Sequence, residues 1–359
     1  MKVMTVLGTR PEIIRLRLII DQLDAACDHV LVHTGQNYAV GLSDLFFEQL
    51  ALRPPDHALG VRADRMGAQL GQILERTAAV LEEERPDRLL ILGDTNSGLA
   101  ALPAKRLGIP VFHMEAGNRC YDDRVPEEVN RRVIDHASDV WLPYTQRSAE
   151  NLTREGVRRE RIYVIGNPIY EVMTHYREAI LASDVHAQLG LDAGAYFLVT
   201  LHRAENVDDP VRLGAFVEAL ERLAAVYDQP VVCSLHPRTA HRMAQHDLAF
   251  GDDRVRALEP FGFFDFVALE RDARCVLSDS GTVQEECCLL RVPSVTLRDV
   301  TERPETVECG SAVLAGADPD RIVMLVDRAI HRPADWTPPA EYLMPHVAQT
   351  VVNLLTMAV

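Results

Sequence analysis

No run in this 359-residue chain is apolar for long enough to span a bilayer, and no charged leader with a cleavage site precedes the first strand-like segment, so a cytoplasmic protein is expected. Basic charge is in short supply: 37 Lys and Arg against 53 Asp and Glu leave a net charge of -16. Nucleic acids and anionic membranes need extended basic faces, so neither is expected as a partner. The seven cysteines follow no metal-ligand spacing, and Cys287 and Cys288 are adjacent in an apolar stretch, so they read as reduced, mostly buried thiols. The G-x-G-x-x-G fingerprint is missing after the first strand, which removes support for a nicotinamide or flavin dinucleotide. Internal repeats and low-complexity tracts are missing too.

What the chain does have is alternation. Short β-rich runs (2–7, 29–33, 89–92, 111–114, 140–142 and 162–165) are separated by helical patterns such as 13–23. A second series follows at 196–201, 231–235, 274–278 and 295–297. Strand and helix in turn over this length predict two doubly wound α/β domains, each with a parallel sheet. The turn signal Gly166-Asn167-Pro168 puts the boundary near 167, giving domains 1–167 and 168–341, with a final helix over 342–359 expected to rejoin the first. In the helix before the third strand, Met66, Leu70, Ile73, Leu74 and Leu81 are predicted to share the buried face.

Ligands of open parallel sheets sit beyond the carboxyl ends of the strands, so the residues just after each strand are the ones to inspect. The first strand is followed by Gly8-Thr9-Arg10-Pro11-Glu12, where a helix N-terminus and Arg10 can hold phosphate, although a surface ion pair explains Arg10 equally well. Asp94 and Glu115 each place a carboxylate at a strand end, in GDTNS and EAGNR. Pro126-Glu127-Glu128 opens a helix whose apolar face is predicted to include Val129, Val133 and Ile134; acids in a first turn also simply complement the helix dipole. Three carboxylates brought together would raise the proton affinity of at least one of them, as acid–base chemistry near neutral pH requires.

In the second half His202-Arg203 and His236 stand at two strand ends and form a candidate anion pocket. Asp279-Ser280-Gly281-Thr282 enters an apolar helix carrying Glu286, where donors for a diphosphate and a partner for ribose hydroxyls would lie; helix capping by Asp279 or Ser280 is the alternative. The charge-dense stretch 298–305, which includes Arg303, follows the next strand.

In order along the chain, GTRPE (8–12), GDTNS (93–97), EAG (115–117), PEE (126–128), DSGTVQEE (279–286) and TERPE (301–305) closely resemble the non-hydrolysing UDP-N-acetylglucosamine 2-epimerases. The resemblance implies a fold like that of GT-B glycosyltransferases, with two Rossmann-like domains and the UDP-sugar between them, and a homodimer. It implies anti elimination of UDP to a bound 2-acetamidoglycal and re-addition with C2 inverted, with no redox cofactor or metal. Asp94, Glu115 and Glu127 match the family's catalytic acids. His202 and Arg10 match residues near the diphosphate, Ser280 and Gly281 the UDP loop, and Glu286 the ribose contact, while a main-chain contact to uracil is expected near Phe263.

The departures concern the substrate. Arg15 stands where the N-acetylglucosamine enzymes have lysine, and Arg119 belongs to an EAGNR in place of EAGLR. HTGQNY (33–38), HMEAGNRC (113–120), DDRVPEE (122–128) and HRAEN (202–206) look more like the branch that forms UDP-N-acetyl-L-fucosamine from UDP-2-acetamido-2,6-dideoxy-L-talose. Asn37 and Tyr38 depart from the pattern of a regulatory UDP-N-acetylglucosamine site, to which Gln36 and His236 correspond. A hydrolysing epimerase, a GT-B glycosyltransferase and a non-catalytic nucleotide-sugar sensor are the competing readings.

Overall fold

The computed structural model describes residues 1–35, 40–63 and 65–357; Gln36, Asn37, Tyr38 and the last two residues of the predicted tail helix lie outside the described residues. The chain forms two compact units, Met1–Thr174 with Ala340–Val359, and His175–Pro339. In the first, β1 (Lys2–Leu7), β2 (Asp28–His33), β3 (His57–Ala58), β4 (Arg88–Leu92), β5 (Val111–Met114) and β6 (Val140–Leu142) pair in the order β3-β2-β1-β4-β5-β6. All pairings are parallel. Helices cover both faces of such a sheet, which is why β1 is a continuous buried run from Val3 to Leu7 rather than an alternating one.

The second unit repeats the plan. Its strands β7 (Phe197–Leu201), β8 (Val231–Leu235), β9 (Val255–Leu258), β10 (Cys275–Ser278), β11 (Ser294–Thr296) and β12 (Ala312–Leu314) pair in the order β12-β11-β10-β7-β8-β9. In each sheet the order reverses between two central strands, β1 and β4 in the first unit, β7 and β10 in the second. A crevice opens at such a switch point, beyond the strand ends.

The helix Val347–Thr356 belongs to the first unit and packs on the helix Arg10–Ala26. It buries Val347, Val351 and Leu355 completely. At about 2 kcal/mol per side chain, that burial holds a helix too short to persist alone. The predicted tail helix from Tyr342 is broken: a 3₁₀ turn over Ala340–Leu343 precedes it, and His346 takes a left-handed backbone with φ 61°.

Other expectations are also revised. Ile162–Ile165 makes only an isolated bridge, Trp141 with Ile162. Met66 is 70% exposed, and Thr77 and Val80 join Ile73 and Leu81 on the buried face of the helix Met66–Glu84. Val129 and Val133 are 48% and 38% exposed, not apolar anchors. The helix Pro126–Ala137 instead turns Glu128, Arg131, Ile134 and Asp135 inward, because a polar network lies beneath it.

Candidate active site

In the first unit the switch point is organised by Glu12. Its carboxylate accepts from the Gly8 and Thr9 amides at 2.9 and 2.7 Å and from the Thr9 and Thr95 hydroxyls at 2.7 and 3.0 Å, tying the turn after β1 to the turn after β4. Burial pushes this carboxyl up to about 7, against donors that favour the carboxylate.

Asp94 follows Gly93 at the end of β4. Its Oδ2 accepts from Arg131 Nε at 2.8 Å and the Arg131 NH2 group at 2.7 Å, and its carbonyl accepts from Asn130 Nδ2 at 2.9 Å. Arg131 in turn donates to Glu128 at 2.7 Å, and Glu128 accepts the Cys120 and Tyr121 amides at 3.0 and 3.2 Å. Glu128 therefore anchors the loop ahead of its own helix, while Glu127 stays half-buried in the first turn.

Glu115, just past β5, is buried and has a left-handed backbone, φ 63°. A glutamate held there stores of order 1 kcal/mol or more of strain, a feature concentrated at functional sites. Its Oε2 is in a buried ion pair with Arg15, whose guanidinium lies 5.6 Å over the Tyr144 ring, and its Oε1 accepts from Asn118 Nδ2 at 3.3 Å. The next turn needs Gly117 (φ 81°), where a Cβ would run into the Ser148 carbonyl. Two of the three predicted acids thus arrive with their own arginine, so mutual repulsion is not the only field acting on them.

Arg119, expected among the substrate contacts, is held within the first unit. Its side chain is fully buried and its donors are taken: NH2 by Asp135 at 2.7 Å, and Nε by Glu155 at 2.9 Å. Asp135 also meets His113 Nδ1 at 2.8 Å and the Gly117 amide at 3.2 Å, and His113 Nε2 meets the Gly93 carbonyl at 2.9 Å. Burial works to raise Asp135, and His113 with Arg119 holds it below its ordinary value. This network ties the turns carrying Asp94 and Glu115 together from below, and no spacing rule in the sequence singles it out. Arg10, half-buried at the start of its helix, lies 5.8 Å over the Phe46 ring with no ion pair among the described residues.

In the second unit Asp279 does what Glu12 does in the first. It accepts from the His202 amide at 3.0 Å, the Arg203 amide at 2.9 Å and Asn206 Nδ2 at 3.1 Å, and it meets His202 Nδ1 at 3.1 Å. Capping was the bland alternative for Asp279, but the cap position belongs to Ser280 and the Asp279 side chain faces β7. Burial acts to raise Asp279, but the His202 ring and the amides bring it down to about 2. With Nδ1 turned to Asp279, His202 has Nε2 left to meet a ligand.

Ser280, Gly281 and Thr282 open the helix Gly281–Leu290, with Ser280 Oγ 2.7 Å from Thr282 Oγ1. A Cβ at Gly281 would come within 2.6 Å of Glu302 Oε1, so the segment 298–303 closes over this helix start. Glu302 bonds Arg298 at 2.7 Å and lies 3.6 Å from Arg203. Arg303 is in a buried ion pair with Glu285. Glu286 is buried beside Glu270, whose carboxyl is raised well above its ordinary value by burial and by Glu286, so Glu270 can donate to its neighbour. His236 uses Nδ1 to accept the Arg238 amide at 3.2 Å, capping its own helix, with its ring 5.9 Å from that of His202. Phe263 is buried at the start of the helix Phe263–Asp272, near Tyr176 and Phe264. Among the described residues no group of three or more His, Cys, Asp or Glu is arranged to hold a metal, and no helix is long and apolar enough to cross a membrane.

A family profile described as UDP-N-acetylglucosamine 2-epimerase matches residues 21–356. A UDP-N-acetylglucosamine 2-epimerase of Methanocaldococcus jannaschii is 40% identical over 348 residues, covering 94% of this chain and 95% of that protein. A UDP-2,3-diacetamido-2,3-dideoxy-D-glucuronate 2-epimerase of Pseudomonas aeruginosa is 38% identical over 329 residues, 90% of each chain. The crystal structure of the Methanocaldococcus jannaschii UDP-GlcNAc 2-epimerase in complex with UDP-GlcNAc and UDP superposes with a TM-score of 0.95 at 38% identity, covering 99% of both chains.

Proposed function

The chain belongs to the UDP-N-acetylglucosamine 2-epimerase family and is a C2 epimerase of UDP-sugars with a GT-B-like fold, and from this premise we propose that it works without hydrolysis, by anti elimination of UDP and re-addition to a bound 2-acetamidoglycal. The observation that carries this reading is the pairing of Asp94 with Arg131 and of Glu115 with Arg15 at the ends of two adjacent strands. Paired and fixed by the turns below them, Glu115 buried and Asp94 half-buried, these carboxylates can meet a sugar ring without rearranging, and preorganisation of that kind is what proton transfer needs. Asp94, Glu115 and Glu127 handle the C2 proton on the two faces of the ring.

The C2 proton is weakly acidic, so departure of the diphosphate has to be assisted. His202 through Nε2, with Arg203, Arg303 and Arg10, supplies the positive field, and the amides and hydroxyls of Ser280, Gly281 and Thr282 take the phosphates at a helix N-terminus. Glu286 holds the ribose, the Phe263 main chain meets uracil, and His236 flanks the phosphates. The motifs around 33–38, 113–128 and 202–206 support the 6-deoxy-L-talo/L-fuco pair as substrate. The same resemblance supports a cytoplasmic homodimer, checked by sedimentation over a range of concentrations.

NMR in deuterated water tests the reaction, using UDP-N-acetylglucosamine, the 6-deoxy-L-talose analogue and the diacetamidoglucuronate in parallel. Deuterium at C2 of a UDP-linked epimer is expected, fastest with the 6-deoxy sugar. Free sugar accumulating beside UDP would overturn the non-hydrolysing route, and a faster rate with either other sugar would overturn the substrate.

A further inference from the structure

Cys288 lies in the last turn of the helix Gly281–Leu290 and is fully buried, while Cys309 caps the helix Pro304–Glu308 and is half-buried. Their Sγ atoms are 3.7 Å apart, as two reduced thiols in contact. Cys309 Sγ also lies 3.4 Å from the Thr306 carbonyl oxygen and 3.4 Å from Ser311 Oγ. Trp336 Nε1 donates to the Cys288 carbonyl at 3.0 Å and covers the deeper residue. The hydrogen bond from Cys288 draws the Cys309 thiol down to about 6, and the same bond, with burial, raises Cys288. The sulfur nearer solvent is therefore the more acidic of the two, with a thiol of raised pKa beneath it. At Cys27, also half-buried, burial raises the thiol instead. A reachable thiol of lowered pKa with a second thiol in contact to resolve it is the arrangement of redox-active cysteines.

We propose that Cys309 and Cys288 form a thiol-oxidation site that reacts with low-molecular-weight disulfides of the glutathione type. The Cys309 thiolate attacks one sulfur of the disulfide, forms a mixed disulfide and releases one glutathione thiolate. Cys288 then attacks Cys309 Sγ, its proton passing to the departing second glutathione, which leaves as the thiol. Two protein thiols are oxidised and one glutathione disulfide is reduced to two thiols. The sulfurs close from 3.7 Å to about 2.05 Å, a movement that two helix ends can accommodate. The new bond ties two segments already joined by Thr301 and Thr306 donating to Gln284 at 2.9 and 3.3 Å, so it extends an existing contact.

The test is peptide mapping by mass spectrometry of the full chain after incubation with glutathione disulfide. Wild type is expected to lose two hydrogens in a Cys288–Cys309 cross-link. Cys288→Ser should trap one glutathione on Cys309, and Cys309→Ser should leave Cys288 reduced. Modification confined to Cys27 or Cys120 in wild type, or oxidation of Cys288 that persists in Cys309→Ser, overturns the proposal. Should either variant fail to fold by circular dichroism, the wild-type map decides alone: the cross-link supports the site, and its absence in oxidant excess refutes it.

Discussion

Glu12 and Asp279 play corresponding parts in the two units, the first from the helix after a first strand and the second from the end of a fourth. Each is fully buried, each ties the turn after a unit's first strand to the turn after its fourth, and each accepts backbone amides. Yet one carboxyl is pushed up to about 7 and the other down to about 2. The donors explain the difference. Glu12 meets only neutral amides and hydroxyls, which do not offset its loss of hydration. Asp279 meets the His202 ring as well, and that contact, with the Arg203 amide and Asn206, favours its anion over burial. The unit with the proposed proton-handling acids thus has a hub whose proton affinity is raised, and the unit proposed to hold UDP has one that is held as a stable anion.

The sharpest way to separate the roles of the two units is Asp94→Asn or Glu115→Gln. Either should lower C2 deuterium incorporation by at least about a thousandfold while UDP affinity, by calorimetry, stays within about threefold. Full exchange in both variants would remove these acids from the chemistry. Next comes the Glu12 hub. A folded pKa of about 7 against an ordinary 4.5 means its stabilisation is complete below pH 4.5 and is lost as pH rises through about 7, a change of about 3 kcal/mol. Urea unfolding against pH should show this slope in wild type and not in Glu12→Gln; identical slopes would contradict it. Asp279 should do the reverse. Its contribution, about 2 kcal/mol, is present above pH 3.8 and lost as pH falls through about 2, and Asp279→Asn should flatten unfolding curves in that window. Smallest is Gly281→Ala, whose Cβ displaces Glu302: UDP should bind roughly fivefold more weakly, while C2 exchange at saturating substrate is unchanged. Unaltered UDP affinity would show that the helix start has room to spare.

The central strands and their polar ends were readable from sequence because apolar runs and the residues after them are local properties. Three edge strands were not: β3 has two residues, and β9 and β12 are half-exposed, so their composition resembles that of loops, whereas the edge strand β6 is buried and was readable. Val129 and Val133 misled for a physical reason, since apolar spacing locates a helix face only when no polar network claims the opposite one. The site divides the same way. Asp94, Glu115 and the 279–286 stretch stand at strand ends and could be found there. The parts of Glu12 and Asp279 depend on partners 83 and 77 residues away, brought near only by the strand order. The Asp135–His113–Arg119 network likewise has no local signature.

The packing of Val347–Thr356 on Arg10–Ala26 also bears on synthesis. The second unit, His175–Pro339, is one continuous stretch whose strand pairings can all form as soon as it has left the ribosome. The first unit begins to emerge earlier but must leave part of the helix Arg10–Ala26 uncovered until Val347–Thr356 is made. Nascent chains stalled before Val347 should therefore carry a finished second unit beside an incomplete first one, and ribosome-associated chaperones would engage the older half of the protein.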